Sequence, residues 1–323
     1  QNNLMGAAAA AASAGGGEFY SHQIANSART HNSTSSSIRR TPSSAGNMAT
    51  WCISMWMKRS KLGASQMIFE AGASGHYGTR LFYQFAADDG IMLSSGEVNY
   101  GTTTEKFRDT SAYYHIFIKN ASNSNTLYVN GTLVKTQALS GNTAINSTVS
   151  HGLGCRQADG DASYAGYISE FLLFDGTAYD PTDVAETKNG VWIPKDPSGL
   201  TLSGTNTTWL KFEASGDLGN DSSGNNNDWT IGSDISAHDQ MLDSPTFSAT
   251  DGNGGNFCTY NGAWLGTGGN TLSEGNLASG GSGGGTNSGT FGMLTGKWYW
   301  ECRAETVASY GPTFGIGQSG DGQ

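Results

Sequence analysis

The stretch between residues 113 and 134, YYHIFIKNASNSNTLYVNGTLV, constrains the possible fold more than any other part of this sequence. Two runs rich in β-branched and aromatic residues, 113–119 and 126–129, flank the polar segment NASNSN, which reads as a loop. The second run turns at Asn130-Gly131, a dipeptide that accepts the positive φ angles of a type I′ turn. The sequence therefore predicts an antiparallel β-meander here.

The same strand pattern continues along the chain. In residues 50–58 the side chains of Trp51, Ile53, Met55 and Met57 fall on one face of a strand. Further strands are predicted at 66–71, 80–86, 91–94, 97–100, 151–156 and 166–174. Short strands at this spacing, without a long segment of helical period, are typical of a two-sheet sandwich.

One short helix interrupts this pattern, at residues 180–187. Asp180 is suited to the N-cap, Pro181 to the first helical position and Asp183 to the first turn. The remaining connections are rich in Gly, Asn and Ser, and Gly alone contributes 47 of the 323 residues. With 8 Trp, 13 Tyr and 13 Phe, the chain carries enough large apolar side chains to bury a core.

The charge and cysteine content exclude several classes of protein. The net charge is −10, so a nucleic-acid partner is not expected, because such binding needs clustered Lys and Arg. Insertion into a membrane is not expected either, since no run of 18 apolar residues occurs. The four cysteines form no C-x-x-C pair, which argues against a zinc site of that type.

Four segments resemble a laminin-G-like domain of the concanavalin A-like lectin and glucanase kind. These are the meander at 113–134, SIRRTPSSAGNMATWCISMWMKRSK at 37–61, GYISEFLLFDGTAYDPTDVAET at 166–187 and WLKFEASGDLGNDSSGNNNDW at 209–229. The last segment comes late in the chain, as in such domains of marine tailed-phage virion proteins. The resemblance implies an all-β, antiparallel two-sheet jelly roll over residues 19–232.

The remaining residues divide into three parts. Residues 1–18 form an Ala/Gly-rich N-terminal tail, which either docks on a neighbouring chain or is a plain flexible terminus. Residues 233–256 are polar and are expected to be a linker. Residues 257–323 resemble a SPRY-like β unit: within its core signal, 290–304, GKWYWE at 296–301 resembles the opening SPRY strand, and TFGIGQ at 313–318 resembles the next one. That unit is expected to be truncated, so that the chain is part of a longer polypeptide.

Catalysis is not expected. A glucanase on this fold needs two carboxylates on one strand face, as in E-x-D-x-x-E, and the sequence has no such motif. His115 lies where the resemblance places a core histidine, and we interpret it as structural.

Calcium is the one cofactor that the resemblance suggests, since laminin-G-like sandwiches often hold Ca²⁺ at one rim. Such a site needs clustered oxygen ligands. Asp88-Asp89, residues 159–161 and residues 217–228 have the required composition. Asp221 and Asp228 are the first candidates for metal ligands. The alternative, that these Asp, Asn and Gly residues only form turns, remains open.

Three aromatic residues in predicted loops could stack on sugar rings or contact a partner chain: Tyr77, Tyr164 and Trp264. Packing in the core is the alternative for each of them.

The resemblance implies a bacteriophage virion protein, a fibre, spike or decoration component at the particle surface. It would act in host-surface attachment or glycan binding, with other virion subunits as partners and a homo-oligomer as its assembly. Three alternatives stay open: a purely architectural virion subunit, a glycan-degrading enzyme and a secreted bacterial adhesin.

Overall fold

The computed structural model describes residues 19–72, 80–139, 144–156, 162–248, 254–265, 270–281, 285–293, 295–305 and 313–316. These form two large antiparallel sheets and a few short elements. The predicted N-terminal tail, 1–18, lies outside the described residues.

The first sheet has the strand order β10-β9-β8-β3-β12-β1-β17, with β15 paired to β12 beside this path. Its strands are β1 (Ser27–Thr30), β3 (Thr50–Arg59), β8 (Tyr114–Ala121), β9 (Ser124–Val129), β10 (Thr132–Ala138), β12 (Gly166–Asp175), β15 (Thr208–Leu210) and β17 (Gln240–Met241).

The second sheet has the order β16-β2-β11-β4-β5-β6-β7. Its strands are β2 (Ile38–Arg40), β4 (Gln66–Ala71), β5 (Leu81–Phe85), β6 (Ile91–Ser95), β7 (Val98–Thr102), β11 (His151–Leu153) and β16 (Thr230–Ile231). The predicted all-β two-sheet sandwich is therefore confirmed. The late segment contributes to the first sheet through β15, and β16, which directly follows it, joins the second sheet.

The main core lies between the two sheets. Strand β3 contributes Trp51, Ile53, Met55 and Met57, which belong to one buried cluster together with side chains of the second sheet. The predicted alternation on this strand is thus confirmed. The opposite face of β3 is also buried, because α1 (Pro181–Val184) and the hairpin of β13 (Ala185–Lys188) and β14 (Val191–Pro194) supply apolar side chains to that face.

The meander contains two tight turns instead of one. Asn130 and Gly131 have φ angles of 49° and 75°, which confirms the predicted type I′ geometry. The segment NASNSN is not an extended loop. Strands β8 and β9 continue into it and leave only Ser122 and Asn123, with φ angles of 51° and 67°, as the turn. The polar segment forms strand ends because Ser and Asn fit such positive φ angles.

Helix α1 begins as predicted and ends early. The Asp183 carboxylate accepts a hydrogen bond from the backbone N–H of Asp180 at 2.8 Å, which satisfies a free donor at the helix start. The helix ends at Val184 instead of residue 187, because Ala185 begins strand β13. The turn that returns the chain to β14 is Asn189-Gly190, with φ angles of 51° and 81°.

In its described residues, 233–248 and 254–256, the expected linker bonds to the sandwich, so for these residues the expectation was wrong. Strand β17 pairs with β1, and the hydroxyl of Thr246 bonds both to the N–H (2.8 Å) and to the carbonyl (3.1 Å) of Ile24. Polar residues here fulfil the hydrogen-bonding needs of buried backbone, so their polarity does not indicate solvent exposure.

The described residues of the C-terminal part, 257–323, form four short strands. Strand β18 (Tyr260–Leu265) pairs with β21 (Asn287–Gly289), and β19 (Thr271–Ser273) pairs with β20 (Ala278–Gly280). No strand forms over residues 296–301, GKWYWE, where one was predicted. The side chains of Trp298, Tyr299 and Trp300 are 52%, 83% and 45% exposed. Within the described residues no strand pairs with this segment, so its backbone lacks the ladder that a strand requires.

Candidate functional site: a groove at one end of the sandwich

A groove of about 700 Å³ opens at the end of the sandwich where β2 and β12 end and β3 and β15 begin. Three loop segments form its lining: Gly46, Asn47, Met48 and Ala49; Asp175 and Gly176; and Ser203, Gly204 and Thr205. The groove is shallow and open to solvent.

Asp175, the last residue of β12, bonds to the loops on both sides of the groove. Its Oδ1 accepts the N–H of Asn47 at 2.6 Å, and its Oδ2 accepts the N–H of Asn206 at 2.9 Å. One carboxylate thereby fixes the loops on both sides of the groove. The backbone on both sides of the groove is therefore held in place, which favours a preformed binding site.

Two glycines permit this close approach. A Cβ atom on Gly46 would overlap the Asp175 carboxylate, and a Cβ atom on Gly204 would overlap the Asp175 backbone carbonyl. Any larger residue at either position would push its loop away from β12.

The groove lining combines polar and apolar surface and is almost uncharged. Asn47, Ser203 and Thr205 contribute an amide and two hydroxyls, while Met48 contributes an apolar surface. Asp175 is the single carboxylate among the lining residues, and both its oxygens already accept N–H groups. Such a surface suits a neutral ligand with many hydroxyl groups.

A buried layer of asparagines supports the loops from below. The Nδ2 of Asn206 donates to the carbonyl of Ser44 at 3.1 Å and to that of Asn146 at 3.3 Å. The Nδ2 of Asn146 donates in turn to the carbonyl of Asn47 at 2.9 Å. These contacts satisfy backbone groups that no strand pairs.

His151 lies in the same layer and is held neutral. Its Nδ1–H donates to the Val149 carbonyl at 2.8 Å, and its Nε2 accepts the N–H of Asn146 at 2.9 Å. Burial lowers the pKa of His151 to about 4. With both ring nitrogens engaged, His151 is a structural residue and not a general base.

The predicted metal ligands lie beside this layer, but their oxygens are already used. Asp221 Oδ1 accepts the N–H groups of Trp209 (2.8 Å) and Ser223 (2.9 Å). Its Oδ2 accepts the Ser223 hydroxyl (2.7 Å) and the N–H of Asn227 (2.9 Å). Asp228 Oδ1 accepts the N–H of Asp221 at 2.8 Å. Both aspartates therefore shape a loop, as in the turn-forming alternative.

The other acidic segments offer no better set of ligands. Asp88 pairs with Lys106 at 2.6 Å, and Asp89 pairs with Arg59 at 3.1 Å and Arg108 at 3.0 Å. Residues 159–161 lie outside the described part of the chain. In the described part, no three His, Cys, Asp or Glu side chains cluster as a metal site would require. The residues present do not fit Ca²⁺, and calcium binding stays an untested prediction.

The three predicted aromatic contacts have different outcomes. Tyr164 is fully buried in the core, where its ring stacks on Phe85 with centroids 6.1 Å apart. The expectation of an exposed ring was wrong, because the loop turns this side chain between the sheets. Trp264 lies in strand β18 and not in a loop. Tyr77 lies outside the described residues.

His115 is a core histidine, as predicted. Its Nδ1 accepts the indole N–H of Trp192 at 3.0 Å, so its Nε2–H donates to the Ser54 hydroxyl at 2.8 Å. Burial lowers its pKa to about 3. The imidazole therefore stays neutral between β8 and the β13–β14 hairpin.

The residues that build the groove were missed at the sequence level. Asp175, Asn146 and Asn206 lie in separate segments, and nothing in their immediate surroundings distinguishes them from other turn residues. The glycines at positions 46 and 204 are two of 47 and carry no local signal.

Residues 32–185 match the family described as "Concanavalin A-like lectin/glucanases superfamily". This part of the chain is therefore similar to concanavalin A-like domains, in agreement with the sequence resemblance. The strands β1, β15, β16 and β17, outside the matched range, extend both sheets. No curated protein sequence matches the chain.

Several solved structures are similar to parts of the chain. The CBM40 of the Ruminococcus gnavus IT-sialidase, bound to α2,3-sialyllactose, has a TM-score of 0.36 and 15% identity, covering 45% of this chain and 95% of that one. Domain 4 of the Geobacillus stearothermophilus arabinanase AbnA, in complex with arabinotriose, has a TM-score of 0.34 and 19% identity. The match covers 41% of this chain and 64% of that one. A Bacteroides ovatus protein has a TM-score of 0.46 and 13% identity, and the match covers 65% of this chain and 58% of that one.

No helix in the described ranges is long and apolar enough to span a membrane.

Proposed function

We propose that the groove between residues 46–49, 175–176 and 203–205 binds a neutral saccharide of a surface glycan. The observation that carries this proposal is the fixed, nearly uncharged lining around Asp175. Sugar hydroxyls need amide, hydroxyl and backbone partners held in place, and the two glycine-containing walls provide them. The lining offers no second carboxylate for hydrolysis, which supports binding and not cleavage.

The wider role that we propose is attachment, by a virion protein of a tailed bacteriophage. The fibre, spike or decoration assignment, the location at the particle surface and the homo-oligomeric assembly rest on the sequence resemblance of residues 37–61, 113–134, 166–187 and 209–229. A glycan-binding groove is compatible with that role. It is equally compatible with a secreted adhesin, so the context must be tested separately from the binding.

The binding is tested by filling the groove. Ser203 is an exposed lining residue, so Ser203→Trp places an indole in the groove while leaving the core intact. Ser215→Trp, on an exposed segment that does not line the groove, is the matched control. The wild type and both variants are applied to a glycan array, and hits are measured by isothermal titration calorimetry.

We expect the wild type and Ser215→Trp to bind the same neutral glycans, and Ser203→Trp to lose at least about tenfold in affinity, which corresponds to ~1.4 kcal/mol. If the wild type binds no glycan, or if Ser203→Trp binds as tightly as the control, the proposed function is wrong.

A second candidate function, an architectural subunit, is favoured by a different observation. Trp298, Tyr299 and Trp300 expose large apolar surfaces next to one another, as segments that pack against another chain do. The SPRY-like character that we propose for residues 257–323 belongs to this candidate, since a strand at 298–301 would form on pairing. Trp298→Ser/Trp300→Ser should reduce self-association in analytical ultracentrifugation. If the wild type is already monomeric, this candidate function is wrong.

A further inference from the structure

The layer beneath the groove is rich in oxygen atoms that would suit a cation. We call it the oxygen-rich rim, and it consists of the side chains of Asp175, Asn206, Asp221, Asn227 and Asp228. The sequence resemblance led us to expect Ca²⁺ at one rim of the sandwich.

The carboxylates of the rim are already satisfied by the chain itself. Asp221 accepts four hydrogen bonds, Asp175 accepts two and Asp228 accepts one from the backbone. A calcium ion, which takes six to eight oxygens, would have to displace several of these donors. Their loss would release the loops on both sides of the groove.

The guanidinium of Arg40 is the cation that reaches the rim. Its Nη1 and Nη2 donate to the Asn206 Oδ1 at 3.4 and 3.5 Å, and Nη2 also donates to the Asn227 Oδ1. Arg40 is the last residue of β2 and is half-buried. Its fork bridges the two loops that carry these asparagines, a geometry that suits guanidinium.

Two opposing effects act on the charge of Arg40. Burial lowers the pKa of Arg40, and the negative charges of Asp221, Asp175 and Asp228 act in the opposite direction. An arginine stays protonated at any ordinary pH, so the rim keeps its positive charge.

We propose that Arg40 is the resident cation of the oxygen-rich rim and replaces the divalent metal that domains of this kind can hold. The fold and the groove then do not depend on Ca²⁺. This inference concerns what stabilises the rim, and it stands or falls independently of glycan binding.

Arg39 provides a matched control for Arg40. It is the neighbouring residue on β2 with its side chain on the other strand face, and its Nη2 donates to the carbonyl of Arg156 at 3.0 Å. Arg40→Met and Arg39→Met remove the same group from the same strand. Arg40→Lys keeps the charge but cannot form the fork.

The experiment measures melting temperatures of the wild type and these variants in EDTA and in 5 mM CaCl₂, together with terbium luminescence of the wild type. We expect the wild type to melt at the same temperature in both buffers and to show no saturable terbium signal. Arg40→Met should melt about 5–10 °C lower, more than Arg39→Met, and Arg40→Lys should lie between wild type and Arg40→Met.

A wild-type melting temperature that rises by several degrees in CaCl₂, or saturable terbium binding that Asp221→Asn abolishes, would overturn the proposal. An Arg40→Met variant as stable as Arg39→Met would overturn it too. If Arg40→Met does not fold, Arg40→Lys and the wild-type calcium comparison still decide.

Discussion

The ammonium group of Lys58 lies 2.8 Å from Oδ2 of Asp243, and both side chains are almost completely buried. Lys58 also donates to the carbonyl of Phe257 at 2.7 Å. This lysine on β3 therefore connects the sandwich to the segment that was expected to be a linker, and to the start of the C-terminal part. Burial raises the pKa of Asp243, and Lys58 acts in the opposite direction.

Removing one partner of this pair should destabilise the folded protein far more than removing both partners. Lys58→Met leaves a buried carboxylate without its cation, and we expect it to lower the free energy of unfolding by about 3–5 kcal/mol. The double variant Lys58→Met/Asp243→Leu should recover part of that loss. Urea unfolding monitored by tryptophan fluorescence measures both effects.

Lys106→Met is the control, because its pair with Asp88 is solvent-exposed. It should change stability little. A Lys58→Met variant as stable as Lys106→Met would show that residues 240–257 are not held by the pair.

The glycine at position 204 should be required for the groove. Gly204→Ala places a Cβ against the Asp175 carbonyl, and we expect a loss of about 1–3 kcal/mol in stability together with weaker glycan binding. Gly199→Ala is the matched control, since nothing lies within 4 Å of its Cβ position. Thermal unfolding and calorimetric titration give the two readouts. Equal behaviour of the two alanine variants would contradict the close approach of this loop to β12.

The two buried histidines should make the protein sensitive to acid. In the folded state the pKa is about 3 for His115 and about 4 for His151, well below the ordinary value of 6.5. At pH values between the folded pKa and 6.5, the unfolded chain therefore binds more protons than the folded protein does. Each histidine contributes full stability above pH 6.5, and about 1.4 kcal/mol of it is lost per pH unit as the pH falls toward the folded pKa.

Denaturant midpoints at pH 7.5, 5.5 and 4.5 measure this dependence. His151→Gln, which keeps a polar side chain without a titrating group, should show a shallower fall with acid than the wild type. An identical pH profile for the two proteins would mean that His151 is not the neutral, buried group described above.

Local signals explain why much of the fold was predictable. The Asn130-Gly131 turn, the alternation around Trp51 and the helix start at Asp180 each depend on residues close in sequence, and all three were confirmed. Errors arose where polar residues serve buried partners. Thr246 and Asp243 look like linker residues until their partners at Ile24 and Lys58 are known.

The site depended on long-range contacts and could not be predicted. Asp175 bonds to Asn47 across 128 positions and to Asn206 across 31. Arg40 meets Asn227 only because β2 and the late segment end at the same rim. Composition placed the acidic candidates at Asp221 and Asp228, but it could not show that their oxygens already bind the chain.

Glycan binding in the groove is tested most directly by mapping backbone amide shifts with two-dimensional NMR while the tightest glycan hit is added to the wild type. We predict shifts concentrated at residues 46–49, 175–176 and 203–206, absent for Ser203→Trp and retained for Ser215→Trp. Shifts centred elsewhere, for example around Trp298–Trp300, or none at saturating glycan, would contradict this prediction.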